Sequence, residues 1–294
     1  MRFAHLAQRL FNTPLAIRQE KAEVIMAALA ERLGVSQIGR LDGGIARPSA
    51  GAWDEDFSEP GETVRDVGYD MVGDTPVACI KVHGTLVQKL GSLRPYSGMT
   101  GYDGIRESIL RAHADPGVEA IVLDIDSPGG EVAGCFDLVD TIYGLRGDKP
   151  IWSILTESAY SAGYAIASAA DRIIVPRTGG VGSIGVIVMH VDWSKALTAS
   201  GVAVTFVTYG DRKVDFRPEL PLSEEALARM QAEINTMGEL FVNTVARNRN
   251  IAPESVRDTQ AACFMGPAGV SRGLADAVMA PDAAFMALLD ELGA

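Results

Sequence analysis

From Pro76 onward, short apolar runs of β type alternate with stretches of helical spacing, and nothing else narrows the fold of this chain as far. Val77–His83 is a short β-type run, and Tyr102–His113 has helical character. Val118–Asp126 is almost continuously apolar up to an acidic end, the pattern of a strand buried on both faces. Val132–Leu145 returns to helical spacing, Pro150–Leu155 reads as a strand, Ser161–Ala170 as a short helix and Arg172–Val175 as a strand. Ile184–Val191 and Val202–Thr208 are two more expected strands. Elements of this length in this order imply an α/β fold of βαβ units around mainly parallel sheets, with right-handed crossovers. Ser223–Arg249 then reads as one long amphipathic helix. Ser223 and the acidic Glu224 and Glu225 supply a capping signature, and Pro253 lies beyond its end. The tail, 262–294, has the pattern of a strand, a turn and a last helix.

The region before Pro76 differs in kind. Leu6, Leu10, Ile17, Ile25, Leu29 and Leu33 recur at helical steps, Pro14 interrupts the run, and Gly34 is a stop signal. Residues 39–75 are rich in Gly, Pro, Asp and Glu and lack periodicity. The expected organisation is a helical N-terminal segment (1–38), an acidic Gly/Pro-rich linker (39–75) and one catalytic-sized α/β domain (76–294).

Composition removes several classes of function. The net charge of −12 and the lack of a basic run argue against a nucleic-acid partner. No stretch of 18 apolar residues is present, so no membrane span is expected. Charged residues from Arg2 to Glu23 interrupt any secretory leader, and the chain is expected to stay in the compartment where it is made. Cys79, Cys135 and Cys263 are far apart and odd in number, which fits reduced core thiols. His5, His83, His113 and His190 are scattered and no H-E-x-x-H is present, so no zinc site is expected.

Three glycine-rich segments fall at expected strand ends, where open parallel sheets place ligands. Asp126-Ser127-Pro128-Gly129-Gly130 reads either as a plain βα turn or as a place where the backbone approaches a substrate and offers its N–H groups to an oxyanion. Ala159-Tyr160-Ser161-Ala162-Gly163 sets a serine on a tight turn that opens a helix. Such a serine is an exposed nucleophile or an ordinary helix cap. Gly180-Val181-Gly182-Ser183-Ile184-Gly185 matches a dinucleotide fingerprint in form only, because a strand rather than a helix is expected next. A nucleophilic serine needs a base. The candidates are His190 and Lys213, and a lysine base must be held neutral by burial or by a cationic neighbour such as Arg212.

The succession Ser127-Pro128-Gly129-Gly130, Tyr160-Ser161-Ala162-Gly163-Tyr164, Thr178-Gly179-Gly180-Val181-Gly182-Ser183-Ile184-Gly185-Val186 and Gly210-Asp211-Arg212-Lys213 resembles the signal peptide peptidase A family of Ser–Lys proteases over roughly Pro76 to Val278. That resemblance implies a ClpP/crotonase-like spiral of βαβ units with mainly parallel sheets. It implies Ser161 as nucleophile and Lys213, 52 residues later, as general base. Gly130 and the N–H of Ala162 would form the oxyanion hole, Ser183 would orient the lysine, and Gly129 and Gly163 would line the substrate site. Gly273-Leu274-Ala275-Asp276 is similar to the family's closing motif.

Leu93-Arg94-Pro95-Tyr96-Ser97-Gly98-Met99-Thr100-Gly101-Tyr102 and Lys213-Val214-Asp215 are similar to a branch of the same family, the capsid assembly proteases of lambda-type phages. This implies action on scaffold, capsid or portal proteins within an immature phage head in a bacterial host's cytoplasm, by a homo-oligomer, with no cofactor, nucleic acid or membrane involved. Two other readings stay open from the residues: a Ser–His protease of the same fold with His190 as base, and a non-catalytic assembly scaffold. An acyl-CoA enzyme of the crotonase type has less support.

Overall fold

The computed structural model describes residues 12–22 and 66–293, together with the backbone of 38–39 and 45–46. In chain order the strands begin with β1 (Leu15–Ile17), β2 (Ile38–Gly39) and β3 (Ile45–Ala46), the last two forming a small antiparallel pair. Next come β4 (Asp70–Met71), β5 (Val77–Val87) and β6 (Met99–Gly101), then helix α1 (Tyr102–Ala114), β7 (Ala120–Glu131) and α2 (Cys135–Gly144). β8 (Ile151–Tyr160), α3 (Ala162–Ser168), β9 (Arg172–Val175) and β10 (Gly180–Gly182) follow. The remainder is α4 (Ser194–Ala199), α5 (Glu224–Arg249), α6 (Pro253–Arg257), β11 (Cys263–Met265), α7 (Gly266–Ser271), β12 (Ala277–Val278) and α8 (Pro281–Leu292).

The principal sheet runs β4-β5-β7-β8-β10-β11, and β5, β7, β8 and β10 are mutually parallel. β7 is central, and its side chains alternate between two cores as a pleated strand requires. Ile121, Leu123 and Ile125 face the larger core with α1, α2, α3 and α5. Ala120 and Val122 face the smaller one, closed by Ala284, Leu288 and Leu289 of α8. The expected α/β architecture with mainly parallel pairing is therefore observed.

Two irregularities shape the site. The β5–β7 ladder shifts register between His83 and Thr85, and the β7–β8 ladder between Ile125 and Ser127. Bulges bend and twist strands locally. β8 also changes partner along its length. Trp152–Ile154 pair with β9, whereas Ser158–Tyr160 pair with β10. The far halves of β7 and β8 thus form a separate patch of sheet at their carboxyl ends.

Helix α3 is buried along its whole length, which its small residues allow: Ala162, Gly163, Ala165, Ala167 and Ser168 take little room. Its C-terminal carbonyls are held by one side chain. Arg146 donates from Nε to Ala169 O (2.8 Å) and from Nη2 to Ser168 O (3.0 Å) and Ala170 O, and Nη1 reaches Asn248 O (3.2 Å). Burial holds the Arg146 guanidinium below its ordinary pKa. The Gly273–Asp276 turn locks β9 to α5. Asp276 accepts two bonds from Arg249 (3.0 and 2.7 Å) and one from the Ile173 amide (2.7 Å).

Several expectations are corrected here. Most of the expected N-terminal helix lies outside the described residues, but Leu15–Ile17 within it form a buried strand. That strand is gripped on both edges, so pairing overrides helical spacing. Ile184–Val191 is mostly extended chain with one bridge at Ile187, and 202–208 has no strand partner among the described residues. Val202, Val204, Val207 and Tyr209 are exposed there. The β-branched pattern suits a pleated surface, but within the chain no neighbouring edge meets it. The glycine segment 180–182, expected at a strand end, is itself β10. Of the three free thiols only Cys135 lies in the core, and Cys263 is exposed.

Candidate active site

The segment from Ser127 to Gly130 is not a βα turn. β7 continues straight through it to Glu131, with Gly129 and Gly130 in register with Thr85 and Leu86 of β5. Side chains are excluded at both positions. Backbone of Leu86 already fills the place a Cβ on Gly130 would take. At Gly129, where φ is +101°, the Ala16 carbonyl oxygen occupies the same kind of space and Ser161 Cβ lies 2.9 Å from it. Ser127 fixes this stretch, donating from Oγ to Gly84 O (2.7 Å) and accepting from the Gly129 amide (3.1 Å).

Ser161 stands between β8 and α3 with φ +54° and ψ −120°, a conformation that L-residues adopt only under strain. The turn is over-determined by its neighbours. Ser161 N donates to Gly182 O of β10 (2.8 Å), and Ser161 O accepts from Ala165 N (2.9 Å). The side chain makes no capping bond to α3, so the plain helix-cap reading does not describe it. Its Oγ has one long contact, 3.5 Å to Gly185 O, and the residue is 1% exposed.

The two glycine segments meet at Gly163. A Cβ built on Gly163 would lie 3.0 Å from Ser127 Cβ and 3.2 Å from Ser127 Oγ. Ser127, Gly129, Ser161 and Gly163 therefore form one cluster, and Ala162 is fully buried beside it. Ser183 sits just past β10 with φ +55°, its amide bonded to Ala262 O (2.9 Å).

The proposed bases lie elsewhere. Lys213 is on an exposed 3-10 turn (Asp211–Val214), and no hydrogen bond links it to Ser161. His190 bonds through Nδ1 to Asn12 Oδ1 (3.0 Å) and forms no hydrogen bond with Ser161 Oγ. Among the described residues no cluster of three His, Cys, Asp or Glu side chains is placed to hold a metal ion, and no helix is long and apolar enough to cross a membrane.

The model of Peptidase family S49 matches residues 145–293, which include Ser161, Ser183, Lys213 and the closing motif. The chain belongs to this family. Within the S49 context, it is 36% identical to the head-tail preconnector protein GP5 of Enterobacteria phage P21 over 93% of its own length and 54% of that protein. It is 34% identical to the capsid assembly protease C of Escherichia phage lambda, over 99% of its length and 66% of that protein. A putative signal peptide peptidase SppA of Enterococcus faecium shares 28% identity over 56% of this chain and 48% of its own. This S49 chain thus spans between about half and two thirds of the two phage relatives. Among solved structures, a ClpP1 mutant from Listeria monocytogenes matches with a TM-score of 0.42 and 13% identity, over 68% of this chain and 90% of that one.

Two site features were not anticipated. Ser127 was seen only as part of its motif, although its hydroxyl organises the glycines. The nearness of Ala16 to Gly129 and Ser161 had one signal in the sequence, Pro14, which ends any helix before Leu15 and leaves the next residues free to extend.

Proposed function

We propose that this chain is a serine endopeptidase that uses a Ser161–Lys213 dyad on protein substrates of an immature phage head, namely scaffold, capsid or portal proteins, in the cytoplasm of a bacterial host. The observation that carries the reading is the strained turn at Ser161, held against Gly129 and Gly163 with no structural bond from its hydroxyl that would account for the strain. Membership of family S49 and the likeness to the two phage proteins support it.

In this mechanism neutral Lys213 takes the Ser161 proton as Oγ attacks a peptide carbonyl. The N–H groups of Gly130 and Ala162 hold the oxyanion, and the loss of one such donor costs about 2.7–4 kcal/mol of barrier. The ammonium, oriented by Ser183, passes its proton to the leaving amine. The same lysine then deprotonates the water that hydrolyses the acyl-enzyme. Because Lys213 is exposed in one copy, we place it at the Ser161 of a neighbouring copy in a homo-oligomer, where contact would supply the burial that lowers a lysine pKa. The exposed stretch Val202–Tyr209 is the surface that meets the neighbour.

The test is co-expression with the neighbouring head proteins, comparing wild type, Ser161→Ala and Lys213→Ala by intact mass. Trimming by wild type alone is expected, and a mixture of the two inactive variants should regain activity if the dyad is shared between copies. Trimming that survives Lys213→Ala would move the base to another residue, with His190→Gln the next variant.

A further inference from the structure

The chain's own strand β1 lies beside the site, and the proposed mechanism does not use it. This strand lies between strand β7 and the chain segment around Ile187. On one edge it is antiparallel to the glycine end of β7, with pairs Leu15 to Glu131, Ala16 to Gly130 and Ile17 to Gly129. On the other edge Leu15 and Ile187 exchange two backbone bonds of 2.9 Å, and Asn12 N donates to Met189 O (3.1 Å). A peptide added to a sheet in this way is a common mode of peptide recognition.

The register can be read from the hydrogen bonds. Val132 N donates to Pro14 O (3.3 Å), and Arg18 N donates to Pro128 O (2.8 Å). In an antiparallel ladder bonded pairs recur every second residue, so Ala16 and Gly130 form the bonded pair between them. The Gly130 N–H is thereby aimed at the Ala16 carbonyl oxygen. That amide is the one assigned above to the oxyanion. The same carbonyl oxygen and Ser161 Cβ both crowd the place a Cβ on Gly129 would take, which sets the Ala16 carbonyl beside Ser161.

The ends of the segment are anchored as well. Asn12 donates from Nδ2 to Phe216 O (3.0 Å) and meets His190, and Asn12 and Pro14 line a cleft with Val188, Phe216 and Met230. Past the Ala16–Ile17 bond, the Arg18 guanidinium lies over the Tyr160 ring at 4.9 Å. Ala16 itself is fully buried.

We propose that residues 12–18 are the enzyme's own first substrate, held in the peptide groove with the Ala16–Ile17 bond presented to Ser161, and that cutting this bond clears the groove for other proteins. Ser161 Oγ adds to the Ala16 carbonyl carbon and the C–N bond to Ile17 breaks. The serine proton passes through the base to the Ile17 amine. Water then releases Ala16 as a new carboxylate and restores the serine. The inference rests on the serine peptidase reading above, and its test keeps the two apart.

The full chain, with nothing added before Met1, is incubated and followed by intact mass and N-terminal sequencing, with β-casein digestion as a separate readout of proteolysis. Expected is a species that starts at Ile17 in wild type and is absent in Ser161→Ala. Ala16→Phe, which overfills a closed position, should reduce that species at least tenfold and lower casein digestion with it, because the groove stays filled; full casein digestion by an uncut Ala16→Phe chain overturns the inference. Casein cleavage by a wild-type chain that stays intact, or is cut only away from residue 16, overturns this inference and leaves the peptidase standing. If wild type cuts neither itself nor casein, both fall.

Discussion

The Gly129 amide donates to the hydroxyl of Ser127 at 3.1 Å, two residues back along the same strand. That hydroxyl in turn donates to Gly84 O of β5 at 2.7 Å. One side chain thus ties the glycine end of β7 to its neighbour and faces Gly163 next to the proposed nucleophile. Ser127→Ala removes both bonds, leaves their partners unpaired and is expected to cost about 1–3 kcal/mol of stability. The effect on turnover should be larger, because a small misplacement of a reacting group can cost about a hundredfold. Steady-state kinetics on a peptide substrate should show kcat falling tenfold or more with KM little changed. An unaltered kcat would mean that the glycine segment holds its place without Ser127.

Arg146 gives a second prediction, one of stability alone. Its guanidinium serves carbonyls at the end of α3 and at Asn248, so replacement leaves several acceptors unpaired in a mostly buried place. Arg146→Met keeps the length and loses the donors, and about 2–3 kcal/mol of stability should go with them. Arg146→Lys should recover only part, since one ammonium cannot match a planar fork. Urea unfolding would register this as a lower midpoint with an unchanged slope. A Lys midpoint equal to that of wild type would show that the fork geometry does not matter.

How far the sequence revealed this molecule follows from what each pattern reports. Val118–Asp126 was legible as a buried strand because both its faces meet apolar layers, and Arg172–Val175 was legible in full. The tight turn at Ser161 and its glycines were legible because a strained turn needs small neighbours, and small residues leave a mark. Residues 202–208 were misread for a physical reason: alternation reports a surface fit for pleating, not the presence of a partner edge. Leu15–Ile17 was misread in the opposite sense, since its pairing with Gly130 and Ile187 is remote in sequence and no local periodicity carries it. Lys213 is placed on an exposed turn, so its proposed role depends on a neighbour that a single chain does not encode locally.

His83 and Asp124 yield a prediction in pH. The His83 imidazole lies 3.1 Å from the Asp124 carboxylate, and this ion-pair contact raises its pKa above 6.5 against the opposing effect of burial. For Asp124 burial is the largest influence and acts upward, but the contacts with His83 and Thr156 outweigh it and hold the group below 3.8. A raised histidine contributes stability that is complete below 6.5 and is lost as pH rises through its folded value. A lowered aspartate contributes above 3.8 and loses its effect as pH falls through its own. The pair should therefore stabilise most between pH 3.8 and 6.5. NMR titration should place the His83 midpoint above 6.5, and Asp124→Asn should bring it down. A midpoint that ignores Asp124→Asn would show that the two groups do not interact in solution.

The backbone at Ser161 supports one more expectation, which separates the role of its side chain from that of its conformation. At φ +54° any residue with a Cβ is strained, at a cost on the order of 1–3 kcal/mol, and glycine is not. The hydroxyl adds little to stability, since its one contact is 3.5 Å long. Ser161→Gly should then be more stable than wild type by about 1 kcal/mol, whereas Ser161→Ala should stay close to it. Both should be inactive, which is the pattern of a site that trades stability for function. Thermal melts of the three proteins at one pH would decide the matter. If alanine proved as stabilising as glycine, the gain would come from removing a buried hydroxyl, and the strained turn would no longer mark Ser161 as a functional residue.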